Sequence, residues 1–388
     1  MDTKNNSTVN FDRYLNPLLI LLCIAYGICC FYLYYHQCFY KTTGLFESDL
    51  YAHIEMAVKD KWFYSLTGLI YQLFFITDFG EILTALFLAC VSFLTIIATA
   101  LLLKKLFKTD KSLHFLLSLS LIANTLMAFY VKFACSTRYI GYQSPSIWHN
   151  STYICMKLFA VLTVYFFIEI YDTYPEKLSP KTFILFILSL SLSVFTKTSF
   201  GMVFIPAMGI VILIDLFTKR AGFLKAVTVS LSVIPSFVIL LWQNNTLFGE
   251  NTGNSIIIKP WYALSLRGEH PKVSFVLSLV FLIVSAIALR KYILKDRNYH
   301  FSLLMWVMGF VWIFFFTESG ERALDSNFYW GYSISLFFMY LISTKLFFEN
   351  IKKLKPAAIV LCSLTLGYQV YCGILFFINL MCGVTYFM

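Results

Sequence analysis

Acidic and histidine side chains cluster between the first two apolar runs of the chain, where Glu47, Asp49 and His53 fall within seven residues. A carboxylate that takes a proton from a hydroxyl acts as a general base, and neighbouring carboxylate or imidazole groups orient the base or its substrate. At 100° per residue of helix, Asp49 and His53 lie about 40° apart. Asp49, Glu47 and His53 are therefore candidate catalytic residues. A second interpretation is that Asp49 complements a helix dipole and His53 is solvated.

The same segment carries an apolar stripe, with Leu50, Ile54, Val58 and Trp62 recurring every four residues after Ser48, a plausible N-cap. This spacing predicts an amphipathic helix over residues 48–62. We expect the helix to be interfacial, with its apolar stripe on the membrane and its Asp49 and His53 face toward a cavity.

A second polar cluster, Trp148-His149-Asn150, precedes another apolar run. Tryptophan commonly anchors a span at the membrane interface and asparagine caps a following helix, so these residues have a structural interpretation. In the functional interpretation they bind substrate. Trp148, Trp261 and Trp330 would then stack on sugar rings, although interface anchoring explains them equally well.

Cationic side chains in two further segments are candidate anion ligands. Lys197 lies between two short apolar runs, followed by Ser199. An ammonium near the hydrocarbon edge needs a partner such as phosphate, or else snorkels to the interface. Arg322 is flanked by acidic residues, so it either holds an anion or closes an ion-pair network. The remaining substrate-binding candidates are Arg267, His270, Glu318, Glu321 and Asn327.

The elements that must position these side chains are membrane spans. Of the 388 residues, 59% are hydrophobic and 13% are charged, which excludes a soluble globule. The composition predicts an all-α integral membrane fold with about eleven transmembrane helices plus the interfacial helix. These helices would form one domain over 1–388, with a cytoplasmic tail at 1–16 and a first outer loop at 36–80. The apolar runs are 17–35, 81–103, 112–131, 154–171, 182–195, 202–217, 226–242, 273–289, 301–317, 329–344 and 357–380.

The charge distribution predicts the orientation. The net charge is +10, and most of the thirty Lys and Arg residues fall in alternate loops. The positive-inside rule then places the amino terminus in the cytoplasm and the carboxyl terminus outside, and anionic lipids rather than nucleic acid account for the basic balance. With this orientation, the polar candidate residues lie mostly on the outer face.

Several chemistries lack their signatures. The chain has no GxxxxGK[ST], GxGxxG, HExxH or GxSxG motif, which argues against ATP-driven pumps, nucleotide-dependent dehydrogenases, zincins and typical serine hydrolases. The ten cysteines show no metal-ligand spacing, so no metal site is predicted, and one Glu-x-Asp pair leaves a divalent cation open. Ionisable residues are nearly absent from the span centres, which leaves little machinery for ion-coupled transport.

The order of these features resembles the GT-C glycosyltransferases. It begins with one span, continues with Glu47-Ser48-Asp49 and an amphipathic helix in an outer loop, and ends with many further spans. The stretches Trp148-His149-Asn150 and Thr196-Lys197-Thr198-Ser199 look like segments of bacterial members. The resemblance implies transfer of a sugar from a polyprenyl-phosphate carrier on the outer face, with inversion at the anomeric carbon.

The leading hypothesis is a lipid-phosphate-sugar-dependent glycosyltransferase of the bacterial inner membrane, acting on a glycan, lipid or protein acceptor. Asp49 would be the general base, with Glu47, His53 and His149 orienting acceptor or base. Lys197 and Arg322 would compensate the charge of the phosphate leaving group. The alternatives are a lipid-linked oligosaccharide flippase or polymerase, and a non-catalytic membrane carrier.

Overall fold

A computed structural model describes residues 6–39, 44–107, 109–134, 144–249, 253–266, 270–320, 322 and 325–384. Two of the candidate substrate-binding residues, Arg267 and Glu321, lie outside these described residues. The described chain is mostly helical. Its helices are α1 (Asn6–Phe39), α2 (Leu50–Val58), α3 (Leu66–Phe74), α4 (Gly80–Leu106), α5 (Leu113–Thr125), α6 (Ser151–Thr173), α7 (Pro180–Thr196), α8 (Ser199–Phe217), α9 (Phe223–Leu231), α10 (Ile234–Phe248), α11 (Tyr262–Ser265), α12 (Pro271–Ser278), α13 (Val280–Ile293), α14 (Arg297–Phe315), α15 (Tyr329–Asn350) and α16 (Pro356–Met381).

Seven of the described helices are long and apolar enough to cross a membrane, namely α1, α4, α6, α8, α14, α15 and α16. The pairs α9–α10 and α12–α13 are each bent, by 41° and 44°, and the number reaches nine if each pair is one span. The prediction of a multi-pass helical membrane protein is confirmed. The count of eleven stays a prediction, because α5 and α7 have only 13 and 17 residues, and 13 residues of helix rise about 20 Å against a hydrocarbon core of about 30 Å.

Helix α15 lies at the centre of the bundle, with 94% of its most apolar 18-residue window buried inside the protein. Its sequence is mostly apolar on every side, as expected of a helix that is surrounded by others, with the charged residues Lys345 and Glu349 confined to its last two turns. Gly309 of α14 allows one close approach, because a Cβ there would lie 2.9 Å from the Cα of Tyr332. Helix α1, by contrast, is only 22% buried over its window and forms an outer wall.

The helix predicted over 48–62 is shorter in the structure, and a second helix follows it in the first loop. Helix α2 ends at Val58, Lys61 adopts a left-handed φ of 51°, and α3 begins at Leu66. The apolar residues Leu50 and Ile54 are buried inside the protein. For these two residues and for the buried Trp62 the expectation of membrane contact is wrong, because α2 packs against α1 and α3, whereas Val58 of the same stripe is 43% exposed.

Two short strands, β1 (Ile256–Ile258) and β2 (Phe316–Glu318), pair antiparallel and tie the segment after α10 to the segment after α14. At the same end of the bundle, the backbone N–H of Phe46 donates to the carbonyl of Gly383, 3.3 Å away. The end of α16 thus lies beside the first loop. We call this end of the bundle the site end.

Candidate functional site

A cavity of about 640 Å³ opens at the site end between α2, α6, α8, α10 and the segment after β2. Residues far apart in sequence meet on its walls. What we call the polar part of the cavity consists of Asp49, His53, Asn150, Thr152, Lys197, Ser199, Glu318, Arg322, Asp325 and Asn327. Further polar lining residues are Ser65, Thr196, Thr198, Gln243 and Asn244. Eight of the candidate residues from the sequence therefore line one space.

Asp49 is held in place by the segment that precedes α6. Its backbone N–H donates to the carbonyl of His149 at 2.9 Å, and its Oδ2 accepts from Nδ2 of Asn150 at 2.6 Å. Asn150 is also the N-cap of α6, because its Oδ1 accepts from the backbone N–H of Tyr153 at 2.9 Å. The cap fixes the Asn150 side chain, and the fixed amide in turn orients the Asp49 carboxylate.

A hydrogen-bond network joins the carboxylate of Asp49 to the ammonium of Lys197. The Nζ of Lys197 donates to Oγ1 of Thr152 at 3.0 Å, and that hydroxyl donates to Oδ1 of Asn150 at 2.8 Å. Asn150 completes the path through its bond to Asp49. The network connects a carboxylate and an ammonium that both line the cavity.

Lys197 occupies the break of two residues between α7 and α8. Its Nζ lies 5.0 Å from the ring centroid of Trp330, so the ammonium also faces an aromatic surface. Burial lowers the pKa of Lys197 to about 8, and the nearby Asp49 carboxylate partly opposes that shift. At neutral pH the side chain is therefore mostly an ammonium that can bind an anion.

His53 projects from α2 into the cavity. Its Nδ1 is hydrogen-bonded to the hydroxyl of Ser151 at 2.9 Å. Burial lowers the pKa of His53 to about 4, although the charge of Asp49 acts in the opposite direction. The imidazole is thus neutral at neutral pH and acts here as a hydrogen-bonding group. Glu47, which is partly buried, does not line the cavity, and burial together with Asp49 raises its pKa.

The opposite wall is built at the end of β2. Arg322 donates from Nε to Oε1 of Glu318 at 3.1 Å, and its Nη2 lies 3.7 Å from Oδ2 of Asp325. Asn327 donates from Nδ2 to Oε2 of Glu318 at 2.8 Å. Arg322 thus forms the loop ion-pair network that the sequence left open, and it lines the cavity as well.

Besides Glu47, three candidates from the sequence do not line the cavity. Trp148 is 2% exposed, donates from Nε1 to the hydroxyl of Tyr26 at 2.9 Å and packs inside the bundle, away from the cavity. The His149 ring is buried beside Trp330, and its part in the site is the carbonyl that holds Asp49. His270 is exposed at the start of α12 and does not line the cavity.

The sequence analysis did not identify the apolar part of the cavity, which α8 and α10 supply. On α10 the lining positions recur at helical spacing, which is the signal that sequence could have offered. The apolar residues are Met202, Ile205, Pro206, Phe237, Leu240, Leu247 and Phe248. Gln243 fixes α10 against the neighbouring loops, since its Nε2 donates to the carbonyls of Tyr64 at 2.7 Å and Phe195 at 3.1 Å. The cavity therefore has both charged and apolar lining residues, and α10 adds the polar side chains of Gln243 and Asn244 to its mostly apolar face.

Further aromatic side chains also line the cavity. They are Trp62, Tyr64, Trp312, Phe328 and Trp330. Within the described ranges, no three His, Cys, Asp or Glu side chains come together in a group that could hold a metal ion. The arrangement brings together the Asp49 carboxylate, two cationic side chains, a neutral imidazole and an apolar wall.

No protein-family model matches the chain, and no curated protein matches it significantly. The fold and the site define a multi-pass helical membrane protein with an amphipathic cavity at one end of its bundle.

Proposed function

We propose that this protein is an integral-membrane glycosyltransferase that moves a sugar from a polyprenyl-phosphate carrier to a hydroxyl of a glycan, lipid or protein acceptor. The observation that supports it most strongly is the single cavity in which Asp49, Lys197 and Arg322 meet at the polar part while α8 and α10 form an apolar wall. A lipid-linked sugar phosphate has the same division between a charged head and an apolar chain.

In the proposed reaction, Asp49 takes the proton of the acceptor hydroxyl as its oxygen attacks the anomeric carbon. The bond between that carbon and the carrier phosphate oxygen breaks, and the electron pair leaves with the phosphate. Lys197 and Arg322 compensate the charge on the departing phosphate. One displacement inverts the anomeric centre, and no nucleotide is consumed.

In this proposal the apolar wall binds the hydrocarbon chain of the carrier lipid. The cavity-lining stretch of α10 runs from Phe237 to Phe248, which is about 16 Å of helix, or about half of a hydrocarbon core. Phe237 is also 50% exposed, and its neighbours Val238 and Leu241 are exposed on the outside of the bundle. The chain would thus pass from the cavity to the surrounding lipid beside α10.

The orientation follows from charge. Most Lys and Arg residues lie in the loops opposite the site end, for example Lys104, Lys105, Lys219 and Arg220. By the positive-inside rule the site end is extracytoplasmic, the amino terminus is cytoplasmic and the carboxyl terminus is outside. We propose the bacterial inner membrane as its location, with the rings of Trp62 and Trp330 stacking on the transferred sugar or its acceptor.

The direct test uses purified protein in nanodiscs with radiolabelled polyprenyl-phosphate sugars, offered one at a time together with extracted membrane lipids and glycans. We expect label to appear in an acceptor with the protein and not with empty nanodiscs. In parallel liposomes, movement of intact labelled lipid across the bilayer without any transfer would overturn the proposal and favour a flippase.

A further inference from the structure

The hydroxyl of Thr152 lies between two polar side chains of the cavity, and the sequence analysis did not single it out. It accepts a hydrogen bond from Nζ of Lys197 at 3.0 Å and donates one to Oδ1 of Asn150 at 2.8 Å. Thr152 is 2% exposed and is the second residue of α6, whose start is capped by Asn150. The capped helix start therefore sets the position of the hydroxyl.

The direction of each hydrogen bond in this network follows from the groups involved. An ammonium can only donate, so the oxygen of Thr152 accepts from Lys197 and its single proton goes to Asn150. The Asn150 amide then donates from Nδ2 to Oδ2 of Asp49 at 2.6 Å. All three bonds run from the ammonium toward the carboxylate, and hydrogen bonds aligned in this way strengthen one another.

Several titratable groups face Lys197, but none of them replaces Thr152 as its hydrogen-bond partner. They are the carboxylates of Asp49, Glu318 and Asp325, the guanidinium of Arg322 and the imidazole of His53. Within the described ranges, no carboxylate is at ion-pair distance from the Lys197 ammonium, and Thr152 is its one hydrogen-bond acceptor. An ammonium has three N–H donors, so this bond leaves two of them for a ligand in the cavity.

The two partners of Thr152 depend on its hydroxyl to different degrees. Oδ1 of Asn150 also accepts from the backbone N–H of Tyr153 at 2.9 Å, so the amide keeps its orientation without the hydroxyl. Lys197 has no second acceptor in the part of the chain that the structure describes. Loss of the hydroxyl should therefore affect the ammonium strongly and Asp49 much less.

We propose that Thr152 is a positioning residue of the cavity, whose hydroxyl holds the Lys197 ammonium so that its two remaining N–H groups bind the phosphate of the donor. Thr152 acts through Lys197 and takes no part in proton transfer. This inference rests on the proposed transferase function, because it assigns the phosphate to the donor lipid. The dependence of Lys197 on Thr152 is nevertheless measurable without any sugar transfer.

The kinetic test compares Thr152→Val, which removes the hydroxyl, with Thr152→Ser, which keeps it. Loss of a hydrogen bond to a charged group should raise KM for the polyprenyl-phosphate sugar about tenfold or more in Thr152→Val, with kcat within about threefold of the wild type. The alkaline fall in kcat/KM for the donor should begin about one pH unit lower, because the lost bond stabilises the charged form of Lys197. Thr152→Ser should restore both values. A fall in kcat with an unchanged donor KM in Thr152→Val would overturn the proposal.

A second measurement is independent of catalysis. Trace acetylation with acetic anhydride between about pH 6 and 10, quantified for each lysine by mass spectrometry, measures the pKa of Lys197 in the purified protein. We expect this pKa to fall by about one unit in Thr152→Val and to stay unchanged in Thr152→Ser. The matched control is Thr163→Val, which removes a buried hydroxyl of the same helix that donates to the carbonyl of Phe159 and does not line the cavity.

The same pKa of Lys197 in the wild type and in Thr152→Val would overturn the proposal, whether or not the protein transfers sugar. A lowered pKa in a protein that transfers sugar from no donor would refute the transferase function and still support Thr152 as the residue that positions Lys197. If Thr152→Val does not fold, Thr152→Ala takes its place, with the same expected fall in pKa and the same contradicting result.

Discussion

Replacing Lys197 by glutamine tests the assignment of the phosphate-binding cation. The glutamine side chain is one atom shorter than that of lysine, keeps a polar N–H donor and loses the charge that faces Thr152. A hydrogen bond to a charged group contributes about 1.5–3 kcal/mol, which corresponds to a loss of about 10- to 150-fold in affinity for the polyprenyl-phosphate sugar. Acceptor affinity should be nearly unchanged, because the phosphate is on the donor.

The pH dependence sharpens this prediction. Burial lowers the pKa of Lys197 to about 8, so the ammonium that binds phosphate is present below that pH and lost above it. The donor is a phosphodiester whose charge is constant in this range. We therefore expect kcat/KM for the donor to fall up to about tenfold per pH unit above pH 8, and Lys197→Arg to remove this fall because a guanidinium stays charged.

The assay measures donor and acceptor kinetics separately in nanodiscs between pH 6 and 10. Lys59→Gln serves as the control, because it removes a lysine outside the cavity. Weakened acceptor affinity with unchanged donor affinity in Lys197→Gln would refute the assignment. An identical alkaline fall in Lys197→Arg would refute the pH argument.

Three further substitutions separate structural from catalytic roles. Asn150→Ser keeps a helix cap but loses the hydrogen bond to Asp49. We therefore expect kcat to fall at least about tenfold while the unfolding temperature stays near that of the wild type. A drop in unfolding temperature that accounts for the whole loss of activity would make the role of Asn150 structural. Gly373→Ala would bring a Cβ within 1.5 Å of the carbonyl oxygen of Thr125, the last residue of α5, and should lower stability by about 1–3 kcal/mol or more. Gly367→Ala is the control and should be tolerated, because a Cβ there meets open space. Equal unfolding temperatures of the two variants would contradict this packing. Trp148→Phe removes the hydrogen bond to Tyr26 and should lower stability by about 1 kcal/mol while the KM of the substrates stays unchanged. A raised KM at unaltered stability would indicate that Trp148 contacts a substrate.

The spans were predictable from sequence because long uninterrupted apolar runs have few other stable environments. The bend between α9 and α10 has a visible cause in Pro235 at the start of α10, but the bend between α12 and α13 has no such proline. The spacing of Leu50 and Ile54 correctly predicted an amphipathic helix but wrongly predicted that these residues contact lipid. The spacing is the same whether a helix packs on lipid or on protein.

The candidate site was predictable in part. Asp49 and Lys197 stand out as polar residues at the ends of apolar runs, and the structure places both in one cavity. Trp148 does not face that cavity, because a buried tryptophan and an interfacial one look alike in sequence. The wall containing Phe237 and Leu240 was missed although its helical spacing is visible in sequence, because that spacing does not tell whether the helix face adjoins lipid, protein or a cavity.

The most direct measurement is the turnover of folded Asp49→Asn in nanodiscs with the donor and acceptor found in the transfer screen. Asp60→Asn is the matched control, because that carboxylate is exposed at the end of the same loop helix. A general base contributes about 100- to 10,000-fold, so sugar transfer should fall by at least about 100-fold in Asp49→Asn and stay near wild type in Asp60→Asn. Near-normal turnover of a correctly inserted Asp49→Asn protein would contradict the proposed mechanism.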